Sequence, residues 1–205
     1  MRDLSQATYW FKKAADQGHA RAQYNLATCY GIGQGVAKDP SQAFFWYMKA
    51  AEQGSYSAQY NVGASYNEGF GVAKDRVKAL WWFRKAAEQG HPDAQFNLGQ
   101  GYYHGDGLNA DYLQAVFWWK KAVDQGDAGA LYHLGFCYLK GHGTVKDEIE
   151  AYAHLNLASA HNEKARQALQ VLHDLFSPSV RLRAQQRTRQ LRREIDAVIK
   201  AKEAR

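Results

Sequence analysis

Residues 22–35 read AQYNLATCYGIGQG, residues 58–71 AQYNVGASYNEGFG, residues 94–107 AQFNLGQGYYHGDG and residues 130–143 ALYHLGFCYLKGHG. Each copy starts 36 residues after the one before it. Other positions keep the same step without slippage: Trp10, Trp46, Trp82 and Trp118; Tyr30, Tyr66, Tyr102 and Tyr138; Gly18, Gly54, Gly90 and Gly126; Asp39, Asp75, Asp111 and Asp147. One step beyond Trp118 stands His154, in AYAHLNLASAH, where the pattern fades. A fixed period of this size marks a stacked array, and a degenerate last copy is what a terminal cap looks like.

Inside one unit the signals alternate. Ala22, Leu26, Cys29 and Tyr30 form a stripe at helical spacing. Gly33 and Gly35 follow, as Gly69 and Gly71, Gly105 and Gly107, and Gly141 and Gly143 do in the other copies. Glycine just past a periodic segment stops a helix. Asp39-Pro40 then supplies an N-cap carboxylate and a proline at the first helical position. DEIE at Asp147 reads as a capping box. The second helix carries Ala43, Trp46, Ala50 and Ala51 and ends at Gln53-Gly54. The expected fold is all-α: a solenoid of antiparallel helix pairs, with alanines at the crossings and aromatic residues filling the layers. No pair can bury its aromatic load alone, so neighbours must stack. Repeats start near 19, 55, 91 and 127, after a partial first repeat. The solenoid is expected to span 1–176, with a basic capping helix over 177–205.

Composition supports this reading and excludes others. The chain has 205 residues, 46% of them hydrophobic, enough for a core. No apolar run reaches the roughly 18 residues of a membrane span. The opening residues MRDLSQATYWFKKAAD hold no apolar stretch of the kind a secretion signal needs. A cytoplasmic location is therefore expected, or a periplasmic or secreted one if the N-terminus is truncated. Cys29 and Cys137 lie three periods apart, too far in a stacked array for a disulfide, and read as small buried hydrophobes. Of the net charge of +6, all is carried by 177–205, with nine Lys/Arg against three Asp/Glu.

AQFNLGQGYYHGDG followed by QAVFWWKKAVDQG resembles the Sel-one-like repeat (SLR) family, relatives of the tetratricopeptide repeat. The resemblance covers residues 1–176 and departs from the family pattern at Ala27, Thr144 and His154. It implies a right-handed superhelix that binds other proteins, often in bacterial signalling, envelope assembly or host interaction. It implies no reaction and no cofactor.

In tetratricopeptide relatives the first helices line the concave face, and the resemblance implies the same here. By helical-wheel arithmetic the stripe away from the core is Arg21, Tyr24, Asn25, Thr28 and Ile32. Its equivalents include Ser57, Tyr60, Asn61, Ala64 and Glu68; Asp93, Phe96, Asn97, Gln100 and His104; Gly129, Tyr132, His133, Phe136 and Lys140. Asn25, Asn61 and Asn97 form an amide ladder able to pair with the backbone of an extended peptide, among adaptable aromatic rings. The alternative is that these amides cap or bridge helices. Positions that differ between copies, such as Thr28, Ala64, Gln100 and Phe136, are expected to select the partner.

The expected function is non-catalytic binding of a protein or peptide in this groove. The glycine loops lack the lysine and helix entry of a phosphate loop. Eight histidines are scattered without zinc spacing. Cys137 has His133 one turn before it, but reads as a core thiol beside a groove-edge histidine. Two alternatives remain: a hydrolase acting on cell-wall-type substrates, since some SLR relatives have been linked to such activity, and a self-assembling spacer. In the tail, Ser177-Pro178 starts a helix with Val180, Ala184, Thr188, Leu191, Ile195 and Val198 on one face, expected to fray beyond about residue 196. Its arginines present a solvated basic face, or dock an acidic partner, an anionic membrane or nucleic acid. No aromatic residue follows Phe176 to stack on bases, which argues against nucleic acid.

Overall fold

The computed structural model describes residues 4–204, and among them eleven helices and no strand. They are α1 (Leu4–Asp16), α2 (Ala20–Ile32), α3 (Pro40–Glu52), α4 (Tyr56–Glu68), α5 (Arg76–Glu88), α6 (Pro92–His104), α7 (Tyr112–Val123), α8 (Ala128–Lys140), α9 (Glu148–Ala158), α10 (Glu163–Leu175) and α11 (Pro178–Glu203). The fold is an all-helical solenoid of helix pairs, in two compact units, Met1–Ala94 and Gln95–Arg205. In the first unit α1 packs on α2, α2 on α3, α3 on α4 and α4 on α5; in the second, α7 packs on α8, α8 on α9, and both α10 and α11 on α9.

Each pair is closed by the same loop. Asp39, Asp75, Asp111 and Asp147 accept hydrogen bonds from backbone N–H groups in the first turn of the helix they open. Their own N–H groups donate to the carbonyls of Tyr30, Tyr66, Tyr102 and Tyr138, at 2.8–2.9 Å. The two loop glycines serve different ends, as the second repeat shows. Gly69 ends α4 in the left-handed region, at φ 76°. Gly71, at φ 72°, presses against the preceding layer: a Cβ there would lie 2.0 Å from the Pro40 carbonyl oxygen. Gly35 meets the Leu4 carbonyl and Gly143 the Tyr112 carbonyl in the same way. The doublet is thus a helix stop plus a backbone contact between layers.

Close approach also explains the glycine inside the first helices. A Cβ on Gly63 would lie 2.7 Å from the Phe83 ring, and one on Gly135 2.6 Å from Leu155. Large second-helix side chains rest on these bare turns. A third recurring device is polar. Gln53 donates to Gln23, Gln89 to Gln59 and Gln125 to Gln95, each at 2.7 Å. Gln23 and Gln59 also donate to the Ala15 and Ala51 carbonyls of the preceding second helix. Gln23, Gln59 and Gln95 are buried. The fourth copy has Leu131 and His161 instead, and the clamp ends with the regular repeats.

Two local expectations are corrected. Asp147 caps α9 through Ile149 and Glu150, but the Glu150 side chain does not return to the Asp147 N–H, which is already bonded to Tyr138. Instead Glu150 Oε1 accepts from Arg187 Nε at 2.7 Å. The long-range cation outcompetes the capping box. The last helix is continuous past residue 196. It runs to Glu203, where Lys202 donates to the Asp124 carbonyl at 3.1 Å.

Candidate functional site

Successive first helices of the first unit enclose a cleft of about 290 Å³ lined by Thr28, Gly31, Ile32, Tyr47, Asn61, Ala64, Ser65, Glu68 and Phe70. Helical periodicity places Thr28 and Ile32 on one wall and Asn61, Ala64 and Glu68 on the other, each set at a spacing of three or four residues. Tyr47 forms the floor. Its hydroxyl lies 3.1 Å from Thr28 Oγ1, and burial pushes its pKa up. Thr28 also donates to the Tyr24 carbonyl, and Tyr24 packs on the Tyr47 ring with centroids 5.6 Å apart. Asn61 Nδ2 donates to the Ser57 carbonyl one turn back, at 2.9 Å. Ile32 is 65% exposed at the cleft and Phe70 is half-buried.

The other sequence-derived candidates fall in several settings. Arg21 and Asp93 are exposed, while Asn25, Asn97 and Gln100 are half-buried. Tyr60 stacks on His91 with centroids 4.4 Å apart and leans on Phe83, so much of its area serves packing. In the second unit Phe96, Tyr132, His133 and Phe136 form one aromatic block. His133 lies flat on Trp119 at 4.8 Å and faces Phe96 at 5.7 Å; Tyr132 meets Phe136 at 5.0 Å. Burial, with smaller contributions from His104 and Lys164, pulls the His133 pKa down to about 4. Burial likewise pushes the Cys137 thiol up to about 11. A neutral imidazole beside a protonated thiol is the reverse of the ion pair that activates a nucleophilic cysteine. Among the described residues no three His, Cys, Asp or Glu side chains are grouped to hold a metal ion. No described helix is long and apolar enough to cross a membrane.

Sequence reasoning missed two features. One is the glutamine clamp, whose signal was present: Gln at 23, 59 and 95, each 30 residues before another Gln, and both lost together in the fourth copy. The other is the node joining Glu150, His154, Arg187 and Glu194, which has no local sequence signature. Arg187 bonds Glu150 on one side and Glu194 on the other. His154 is buried, which lowers its pKa.

Comparison with known proteins follows the same architecture. The family model described as Sel1 repeat matches residues 1–19, 20–55, 57–91, 92–127 and 128–163. Among solved structures, the chain is similar to a protective antigen present in uropathogenic Escherichia coli strains, displaying an SLR fold. That similarity has 34% identity and a TM-score of 0.84, over 97% of this chain and 43% of the antigen. It is also similar to a Sel1 repeat protein from Oxalobacter formigenes, at 39% identity and a TM-score of 0.74, over 83% of this chain and 50% of that one. The chain thus spans half or less of the length of these two relatives. Helicobacter pylori cysteine rich protein B shares the fold at 24% identity, with a TM-score of 0.50, over 64% of this chain and 96% of its own. No curated protein matches the chain.

Proposed function

Because the chain belongs to the Sel1 repeat family, whose members are generally protein-interaction scaffolds, we propose that it is a non-catalytic binding module that seats a segment of a partner protein on its first-helix faces. The observation that carries this reading is who lines the cleft. Residues common to all copies, such as the loop glycines and capping aspartates, are used to join layers. The cleft is walled by positions that differ between copies: Thr28 and Ala64, against Gln100 and Phe136; Ile32 and Glu68, against His104 and Lys140. Architecture needs the shared positions, so selection of a partner falls to the variable ones.

The cleft suits one bulky side chain of an extended segment. Ile32, Ala64 and Phe70 offer apolar contact, Asn61 and Thr28 offer hydrogen bonds near the backbone, and Glu68 favours a positive neighbour. Ala64→Arg tests this, since an arginine at half-buried Ala64 fills the cleft and neutralises the charge of Glu68 without removing a packing contact. A partner captured by the wild type should be lost by Ala64→Arg and kept by Lys85→Ala, with melting temperatures unchanged. Equal capture by Ala64→Arg rejects the cleft.

A further inference from the structure

The second-helix tryptophans occupy a recurring socket. Trp46 packs in one cluster with Ala15, Leu26 and Tyr30. Trp82 is buried in a cluster with Ala51, Val62 and Tyr66. Advancing these positions by whole periods gives Val123, Leu134 and Tyr138 for the floor, and His154 for the ring that should rest on it. All four line a single cavity of about 320 Å³ in the second unit, bounded on its other side by Arg187, Leu191, Glu194, Ile195 and Val198 of α11. An imidazole is smaller than an indole, so the socket is left partly open.

Two acceptors among the polar groups here receive no donor from the surrounding side chains: His154 Nε2 and Glu150 Oε2. His154 Nδ1 donates to the Glu150 carbonyl at 2.9 Å, which places its proton there and leaves Nε2 bare. Glu150 Oε1 is taken by Arg187. Glu150 Oε2 lies 3.5 Å from His154 Nδ1, whose hydrogen points to the carbonyl, and this buried oxygen has no hydrogen-bond partner. Buried acceptors are normally satisfied.

We propose that this cavity is a binding site for an indole ring, supplied by a ligand where the fourth repeat omits its own. Val123, Leu134, Leu191 and Ile195 provide the apolar faces, and the Tyr138 ring provides an aromatic edge. The indole N–H supplies a donor for His154, which lines the cavity with Nε2 unprotonated. An uncharged ring also adds nothing to the charges already lining the cavity, Lys120 and Arg187 with Asp124, Glu150 and Glu194. The volume is at the lower end of ligand sites, room for one bicyclic ring rather than a large cofactor. The site is separate from the first-helix cleft and does not rest on its role.

Free indole and N-acetyl-tryptophanamide are the probes, titrated into the full chain and followed by ligand-observed NMR and by melting temperature. Wild type should bind saturably and melt higher with the probe. His154→Trp should restore the repeat's own indole, raise the melting temperature of the free protein and weaken probe binding by roughly tenfold or more. Binding of the amide assigns the ring to a partner's tryptophan, and binding of indole alone to a free small molecule. Failure of both probes, or equal binding by His154→Trp, overturns the proposal. Should that variant not fold, wild-type crystals soaked in indole decide the matter. A ring between Val123, Leu134 and Leu191 supports the site, and a cavity without one overturns it.

Discussion

Gly71→Ala separates the two demands made on the loop glycines. At φ 72° any side chain sits in the left-handed region, which costs a non-glycine residue roughly 1–2 kcal/mol. Gly54, at φ 91°, has nothing within 4 Å of where its Cβ would be. Gly54→Ala therefore measures the backbone preference alone, reduced by about 0.4–1 kcal/mol because alanine also restricts the unfolded chain. At Gly71 the added carbon would stand 2.0 Å from the Pro40 carbonyl oxygen and 2.4 Å from its carbon. Backbone in the first turn of α3 has no rotamer through which to retreat. The loop must lift by more than an ångström, and overpacking of this kind adds about 1–3 kcal/mol. The expected losses are about 1 kcal/mol for Gly54→Ala and about 3 kcal/mol for Gly71→Ala. Urea unfolding followed by helical circular dichroism reads both, as a shift in midpoint at constant slope. Equal losses would refute the claim that the second loop glycine serves a contact between layers.

Gln59→Leu removes a bond to Gln89 and one to the Ala51 carbonyl, and should destabilise the chain by about 1–2 kcal/mol. A double-mutant cycle with Gln89→Leu should show coupling of about 1 kcal/mol, and strict additivity would count against the clamp. His133 binds its proton more weakly folded, at about 4, than unfolded, near 6.5. The unfolded chain therefore takes up the extra proton as pH falls, and stability drops between pH 6.5 and 4 by on the order of 3 kcal/mol. His133→Phe should flatten that part of the pH-stability curve, and an unchanged slope would contradict the burial of the imidazole.

The repeat, the loops and the capping aspartates were legible because each is written four times at fixed spacing, and local rules act the same way in every copy. The stripe from Thr28 to Glu68 was legible from the helical period. The glutamine clamp was hidden by habit rather than by signal, since a glutamine on a helix usually faces water and Gln59 is instead 5% exposed. Its bond links residues 30 apart on different helices, which a reading of one helix at a time does not test. Glu150 was misread because DEIE satisfies a local pattern while Arg187, 37 residues on, makes the stronger bond. Near the end of α11, Lys202 reaches the Asp124 carbonyl, 78 residues away, a contact with no local signature. In the candidate site, whether Tyr60 and His133 are free or stacked depends on rings from other helices, a matter of packing and not of spacing.

The central claim is that variable first-helix positions, and not the outer second-helix face, meet the partner. A photo-crosslinking amino acid placed at Ile32, 65% exposed at the cleft mouth, should capture the bound partner covalently. The same group at Trp81, 53% exposed on α5, should not. Capture from position 81 with none from position 32 would contradict the account.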